Sequence, residues 1–291
     1  MQISGKVELG FEPVRELFTR SLTSKRDRNA QLCVYVGENS VVDLWATNGA
    51  EPFSPDSLVN VFSSGKSIEC ILLAMLADQG LLNFAERVAT YWPEFVGTQK
   101  DKDRLTVADV MRHEAGLASL NITLSPEQLT ASALKQNAVG QVLEQHPLRF
   151  AGASGSPREY HAITRGWIAN EIFRRVEPTG RTMGEFLRDE VSLPLGIDVY
   201  FDVTDDQAEN ICRVQARRWG AQLLDSFAPG SQARSIGLTP TEMLARMRRI
   251  LPSVRRLRRM QKPMPMTGMR EELFGTFDSA PWLIIYLGKQ L

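Results

Sequence analysis

A chain of 291 residues with 34 Lys and Arg against 34 Asp and Glu has no net charge to steer it toward nucleic acid or an anionic membrane surface. Its 43% hydrophobic and 23% charged content is that of a globular protein, long enough to bury a real core as one large domain or two small ones. No apolar run approaches the length of a membrane-spanning helix and residues 1–6 carry no apolar leader segment, so the default expectation is a cytoplasmic protein with no membrane span.

Residues 11–24 place Phe11, Val14, Leu17, Phe18 and Leu22 at helical spacing, with Pro13 where a first turn tolerates it. Residues 31–36 and 41–46 are β-branched runs around the turn Gly37-Glu38-Asn39-Ser40, which predicts a hairpin. Pro52 and Pro55 punctuate the loop that follows.

The stretch Asn60-Val61-Phe62-Ser63-Ser64-Gly65-Lys66-Ser67 opens the most apolar helical pattern in the chain. Ile68, Ile71, Leu72, Met75 and Leu76 recur at helical spacing, and Leu73 and Ala74 fill much of the remaining circumference. That predicts a helix buried almost all round, closed by a left-handed cap at Gly80. Residues three apart share a helix face, so Ser63 Oγ and Lys66 Nζ can come within hydrogen-bond reach. A serine hydroxyl is a weak nucleophile until a neighbouring base takes its proton. Lysine fills that role when its pKa falls from about 10.4 toward neutrality, a change of about 3 units or roughly 4 kcal/mol. The backbone N–H of Ser63 is also placed to donate to an oxyanion.

Two other readings of these residues stand. Ser-x-x-Lys arises by chance at capped, solvated helix starts. Gly65-Lys66-Ser67 also matches the end of a phosphate-binding loop, although the loop's first glycine falls on Asn60 and the bulky Val61 and Phe62 crowd its amides.

Further along, residues 91–95 read as an aromatic loop and residues 100–104 as a charged, solvated turn. Thr106 and Asp109 have capping-box spacing for a short helix ending at His113, whose plain role is a helix-end histidine bonded to backbone carbonyls. An amphipathic helical pattern covers residues 126–145. The small-residue loop 151–157 leads to Tyr160 and a helix running through Ile172, Phe173 and Val176 to Pro178. Thr182 and Glu185 repeat the capping-box spacing, and residues 193–196 form a turn. Residues 246–262 are rich in arginine and broken by Pro252, which fits a solvated face or a basic patch for an acidic partner. Residues 282–287 fit a buried strand. Cys33, Cys70 and Cys212 lack metal-ligand spacing and point to free, mostly buried thiols in a reducing compartment. With His113, His146 and His161 the only histidines and no G-x-S-x-G elbow, little favours a Ser-His-Asp triad.

Three stretches in register give the chain a family likeness: residues 61–67 around Ser63 and Lys66, residues 105–117, and residues 160–167 beginning at Tyr160. Over residues 11–205 it resembles the beta-lactamase-related serine hydrolases, which include class C beta-lactamases, related carboxylesterases and penicillin-binding-protein-like peptidases. Within these it looks most like the eukaryotic beta-lactamase domain-containing branch.

The resemblance implies an α+β, beta-lactamase/transpeptidase-like fold: an antiparallel sheet, expected to be incomplete, flanked by helices and joined to a helical subdomain over residues 65–195. It implies a domain over residues 1–205 and leaves 206–291 as an Arg-rich region. Ser63 would be the acylated nucleophile, Lys66 its base, and Tyr160 the group sharing the proton with Lys66. A buried aromatic at a helix start is the plain alternative for Tyr160. The family's Asn two residues after the tyrosine is Ala162 here, which tilts the substrate class from beta-lactams toward esters.

The implied function is hydrolysis of small esters or amides through an acyl-enzyme. No metal or organic cofactor is implied, because nucleophile, base and oxyanion donors are all protein groups, and no nucleic-acid partner is expected. The family's third motif, Lys-Thr-Gly or a variant on an inner strand, has only a faint analogue in Met266-Thr267-Gly268, flanked by Pro263 and Pro265. Its loss would remove one oxyanion donor, so an impaired or inactive scaffold or binding member is the alternative.

Overall fold

The computed structural model describes residues 1–24, 29–120, 122, 124–150, 157–201 and 211–212. The arginine-rich stretch 246–262, Met266-Thr267-Gly268 and the apolar run 282–287 lie outside the described residues.

The chain opens with a strand that the sequence pattern does not announce, β1 (Gln2–Val7). After it come helix α1 (Glu12–Ser24) and the hairpin strands β2 (Asn29–Val36) and β3 (Asn39–Thr47), in agreement with the periodicities. The three strands form an antiparallel sheet of order β1-β3-β2, with Gln2 opposite Thr47 and Asn29 opposite the same Thr47. β1 can close on β3 because Gly5 adopts φ +103°; a Cβ there would lie 2.0 Å from the carbonyl oxygen of Asp43. A register shift between Val34 and Tyr35 marks a bulge toward the hairpin end. Phe11, just ahead of α1, and Val14 and Phe18 on it pack with Val41, Val42 and Leu44, which explains the helical spacing of those residues.

A two-residue parallel pair, β4 (Leu58–Val59) with β5 (Ile211–Cys212), follows the sheet. The Gln31 side chain ties the sheet to the approaching loop through the carbonyls of Ser54, Pro55 and Ser57.

The helical part is built on α2 (Lys66–Asp78) and later helices packed against it. Leu72, Leu73 and Leu76 are fully buried, each contributing about 1.5–3 kcal/mol of transfer free energy. The helix is not buried all round, however: Ser67, Cys70, Ile71 and Ala74 are exposed, Ile71 by 52%. Its C-terminus closes at Gly80 with φ +72°, and Leu81 N–H donates to Leu76 O, the left-handed stop that the glycine predicts.

Short helices α3 (Val88–Tyr91) and a 3₁₀ turn over Pro93–Val96 replace the expected aromatic loop, placing Trp92 and Phe95 in the core. Another 3₁₀ turn, Lys100–Arg104, replaces the expected solvated turn. Lys102 in it is fully buried, its Nζ donating to the carbonyls of Leu143 and Glu144 and lying over the Phe95 ring. An ammonium goes inside because it satisfies the last carbonyls of a helix, which sequence spacing does not show.

Helix α4 (Val107–Met111) starts at the expected capping box, Thr106 with Asp109. The amphipathic stretch 126–145 is three pieces: a 3₁₀ turn over Pro126–Leu129, α5 (Ala131–Lys135) and α6 (Ala138–Gln145). The last break falls at Asn137, whose φ of +66° cannot continue a right-handed helix.

The buried centre is α7 (Thr164–Val176). Several of its buried polar groups are paired: Thr164 Oγ1 donates to Leu117 O and Arg165 pairs with Glu69 on α2, while Glu171 takes Arg174 and Arg175 from the same helix. A second capping box, Thr182 with Glu185, starts α8 (Met183–Phe186) as its spacing predicts. The three cysteines are free, but Cys33 and Cys70 are exposed rather than buried.

Candidate active site

Ser63 lies in a 3₁₀ turn, Phe62–Gly65, immediately before α2 rather than on the α-helix itself. In 3₁₀ geometry side chains at i and i+3 eclipse, so Lys66 stands directly beside the serine. Phe62, just ahead of Ser63, has φ +48°. A bulky side chain in that region costs about 1–3 kcal/mol and persists only where its surroundings impose it. Here Asn60 Oδ1 takes the Phe62 N–H at 2.8 Å and Val61 O takes the Ser64 N–H at 3.1 Å. As an early residue of its turn, Ser63 has no partner for its N–H within the turn.

Three groups that sequence reasoning joins are brought together. The Tyr160 hydroxyl donates to Ser63 Oγ at 2.7 Å, and Lys66 Nζ reaches the same oxygen at 3.4 Å. Lys66 Nζ also lies 5.4 Å from the centroid of the Tyr160 ring. Its shorter bond, 2.8 Å, goes to the backbone carbonyl of Ala162. Position 162 has lost the amide side chain of the family pattern yet still serves the site through its main chain. Tyr160 is 54% exposed and precedes α7, so it is not a buried helix-start aromatic.

Lys66 is held from behind. Arg165 on α7 donates to Lys66 O at 2.9 Å and to Glu69 Oε2 at 2.8 Å, and both members of that ion pair are buried. Glu69 sits one turn after Lys66, so the pair locks the first turn of α2 against α7.

Around Tyr160 stand two histidines. His161 is fully buried; its Nδ1 donates to Glu159 O and its Nε2 accepts the Leu117 N–H at 3.0 Å. That pattern requires a neutral ring, and burial pushes its pKa down against the opposing pull of the Glu159 carbonyl. His113 has φ +65°; its ring lies 4.9 Å from that of Tyr160, and its Nδ1 accepts the His161 N–H at 3.1 Å. Burial, with Arg165, His161 and Lys66 nearby, pushes His113 down to about 4. The expected helix-end role, donation to carbonyls, is therefore replaced by acceptance from an amide. Its only sequence signal is a histidine at the end of a capped helix. Glu69 and Arg165, neither singled out by motif, show in sequence only as charges within apolar helical patterns.

A serine oxygen flanked by a phenol and a lysine nitrogen, at the start of a half-buried helix, is an arrangement that can carry acyl transfer. A family model described as Beta-lactamase matches residues 14–276. This chain belongs to the beta-lactamase family. The esterase/beta-lactamase LipL of Mycobacterium tuberculosis is 33% identical over 201 residues, covering 68% of this chain and 44% of LipL. Among solved structures, a penicillin-binding protein homolog from Caulobacter crescentus is 30% identical with a TM-score of 0.65, covering 79% of this chain and 63% of that one. A family VIII carboxylesterase is 28% identical with a TM-score of 0.65, covering 74% of this chain and 57% of its own. The chain thus spans about half the length of the curated relative and under two thirds of these structures. The α+β, beta-lactamase/transpeptidase-like fold expected from the motifs is the one found. LipL and the Caulobacter protein are bacterial, so nothing in them supports the eukaryotic branch. The family match extends past residue 205, where the legible motifs end.

Proposed function

We propose that this beta-lactamase-family chain is a serine hydrolase of small esters or amides, working through an acyl-enzyme on Ser63. The observation that carries the reading is the convergence on Ser63 Oγ of the Tyr160 hydroxyl at 2.7 Å and Lys66 Nζ at 3.4 Å. For attack, Tyr160 acts as the phenolate, whose negative charge the adjacent Lys66 ammonium favours; it takes the Ser63 proton and becomes the neutral phenol as Ser63 Oγ bonds to the carbonyl carbon. The Ser63 N–H supplies one donor to the oxyanion of the tetrahedral intermediate. The same Tyr160 oxygen returns the proton to the leaving group, and water then attacks the acyl-serine by the reverse path.

Esters are the favoured substrates, because Ala162 offers no side-chain amide to a beta-lactam. The names of LipL and of the carboxylesterase point the same way. Residues 1–205 hold the three catalytic groups, which supports treating them as the hydrolase domain. The free thiols fit a reducing, cytoplasmic setting. No helix among the described residues is long and apolar enough to cross a membrane.

The test is incubation with a fluorophosphonate followed by mass spectrometry of the peptides. An adduct on Ser63, absent in Ser63→Ala, is expected together with Ser63-dependent turnover of p-nitrophenyl esters. Absence of adduct and turnover in the folded protein favours the inactive scaffold instead.

A further inference from the structure

The main-chain N–H groups on either side of Tyr160 donate to one and the same residue. Glu159 N–H donates to the main-chain carbonyl of His113 at 3.1 Å, and His161 N–H donates to His113 Nδ1 at 3.1 Å. Between those two anchors the Tyr160 ring lies 4.9 Å from the His113 ring, inclined at 52°. Tyr160 itself sits in a segment without helix or strand, more than half exposed, so its direction is not set by regular structure or by burial.

We propose that His113 is a positioning residue for Tyr160, gripping the backbone before and after it through one carbonyl and one neutral ring nitrogen and so setting the phenol against Ser63 Oγ. The proposal rests on the reading of Ser63, Lys66 and Tyr160 as the catalytic set.

The backbone of His113 makes the grip feasible. Its φ of +65° is a conformation in which Gly, Asn, Asp and His are enriched, and here carbonyl and ring reach the same segment. The ring nitrogen must also stay unprotonated, since an imidazolium has no acceptor. Burial above all keeps it so, and the groups facing it add to this: Arg165 on α7, the ring of His161 and Lys66 on α2 oppose a further proton. The neighbouring carboxylates are engaged elsewhere, Glu114 by Arg112 and Arg158, and Glu159 by Arg149. His161 adds a second tie between the same two segments through Leu117 N–H and Glu159 O.

Three substitutions separate positioning from bulk structure. His113→Asn tolerates the backbone angle and places Oδ1 where Nδ1 stood. His113→Gly keeps the angle and the carbonyl but deletes the acceptor and the ring. His113→Gln carries its acceptor one bond too far out. With an ester substrate, His113→Gly is expected to lose kcat by about 10²-fold, the cost of a misplacement on the order of 1 Å, with KM little changed. His113→Asn recovers most of that loss and His113→Gln does not.

Wild-type kcat in folded His113→Gly, or a rise in KM alone, overturns the proposal. If the glycine variant does not fold by circular dichroism, the Asn and Gln variants decide, and equal kcat in those two overturns it. Ser63→Ala run in parallel separates the levels. Turnover that does not depend on Ser63 removes the hydrolase reading and this proposal with it, whereas Ser63-dependent turnover indifferent to His113 removes only the positioning role.

Discussion

A phenol oxygen at 2.7 Å and a lysine nitrogen at 3.4 Å are not equally placed to take the Ser63 proton. The shorter contact belongs to Tyr160, while Lys66 spends its best bond on Ala162 O at 2.8 Å. In the proposed reaction Tyr160 is therefore the direct proton carrier and Lys66 the positive charge that stabilises its phenolate. Tyr160→Phe preserves the ring against His113 and Lys66 and removes only the hydroxyl. It is expected to lower kcat by about 10²–10⁴-fold, the range for a positioned acid–base group, with KM close to that of the wild type. Steady-state kinetics on an ester checks this, and an unchanged kcat would hand the proton to Lys66 alone. At this scale Ser63 and Lys66 are legible from a spacing of three. Tyr160, 97 residues away, has no local pattern to link it to them and is found only through a family likeness. His113 is harder still, because its part depends on a positive φ and on what its carbonyl accepts.

Elements position these residues by pinning two helices together at one buried ion pair. Arg165 on α7 and Glu69 on α2 are 6% and 3% exposed, and the same guanidinium holds Lys66 O. Removing one partner leaves a charge inside with nothing to compensate it. Arg165→Met is expected to destabilise the fold by about 3–5 kcal/mol, whereas Glu69→Leu with Arg165→Met restores much of the loss by replacing the pair with apolar contact. Urea unfolding measures both; a single variant as stable as the wild type would show that the pair holds nothing. The helices themselves follow from period and punctuation: α1, α2 and α7 run close to where apolar spacing and Gly80 place them, and α4 and α8 start at their capping boxes. What period cannot show is which charge goes inside. Lys102 lies in a stretch, Lys100 to Arg104, that is charged at every position, and only the carbonyls of Leu143 and Glu144 some 40 residues on draw it in. The same holds for β1, whose pairing depends on Gly5 meeting Asp43 across the sheet.

For the molecule as a whole, acid should act earlier than carboxylates alone would predict. All three histidines are held below their ordinary range by burial, His113 down to about 4 and His146 and His161 in the same direction. Each depressed pKa means that the unfolded chain binds the proton first as pH falls. The stabilisation is thus fully present above about 6.5, the ordinary histidine value, and is lost as pH drops from there toward the folded values. Glu114, held low by its bonds from Arg158 and Arg112, extends the loss to more acid pH. Lys102 works at the other end: burial lowers it to about 8. The unfolded chain therefore keeps that proton to higher pH than the folded one, and stability rises as pH climbs through the interval above 8. The thermal midpoint, followed at constant ionic strength, is therefore expected to fall from about pH 6.5 downward, before carboxylates titrate, and not to fall in mildly alkaline solution. His113→Asn should flatten the acid side, since an amide keeps the acceptor and takes no proton. A midpoint level across the histidine range in the wild type would mean that these rings are as free to charge in the fold as out of it, and that neither His113 nor His161 is committed to accepting the amides that hold the Tyr160 segment.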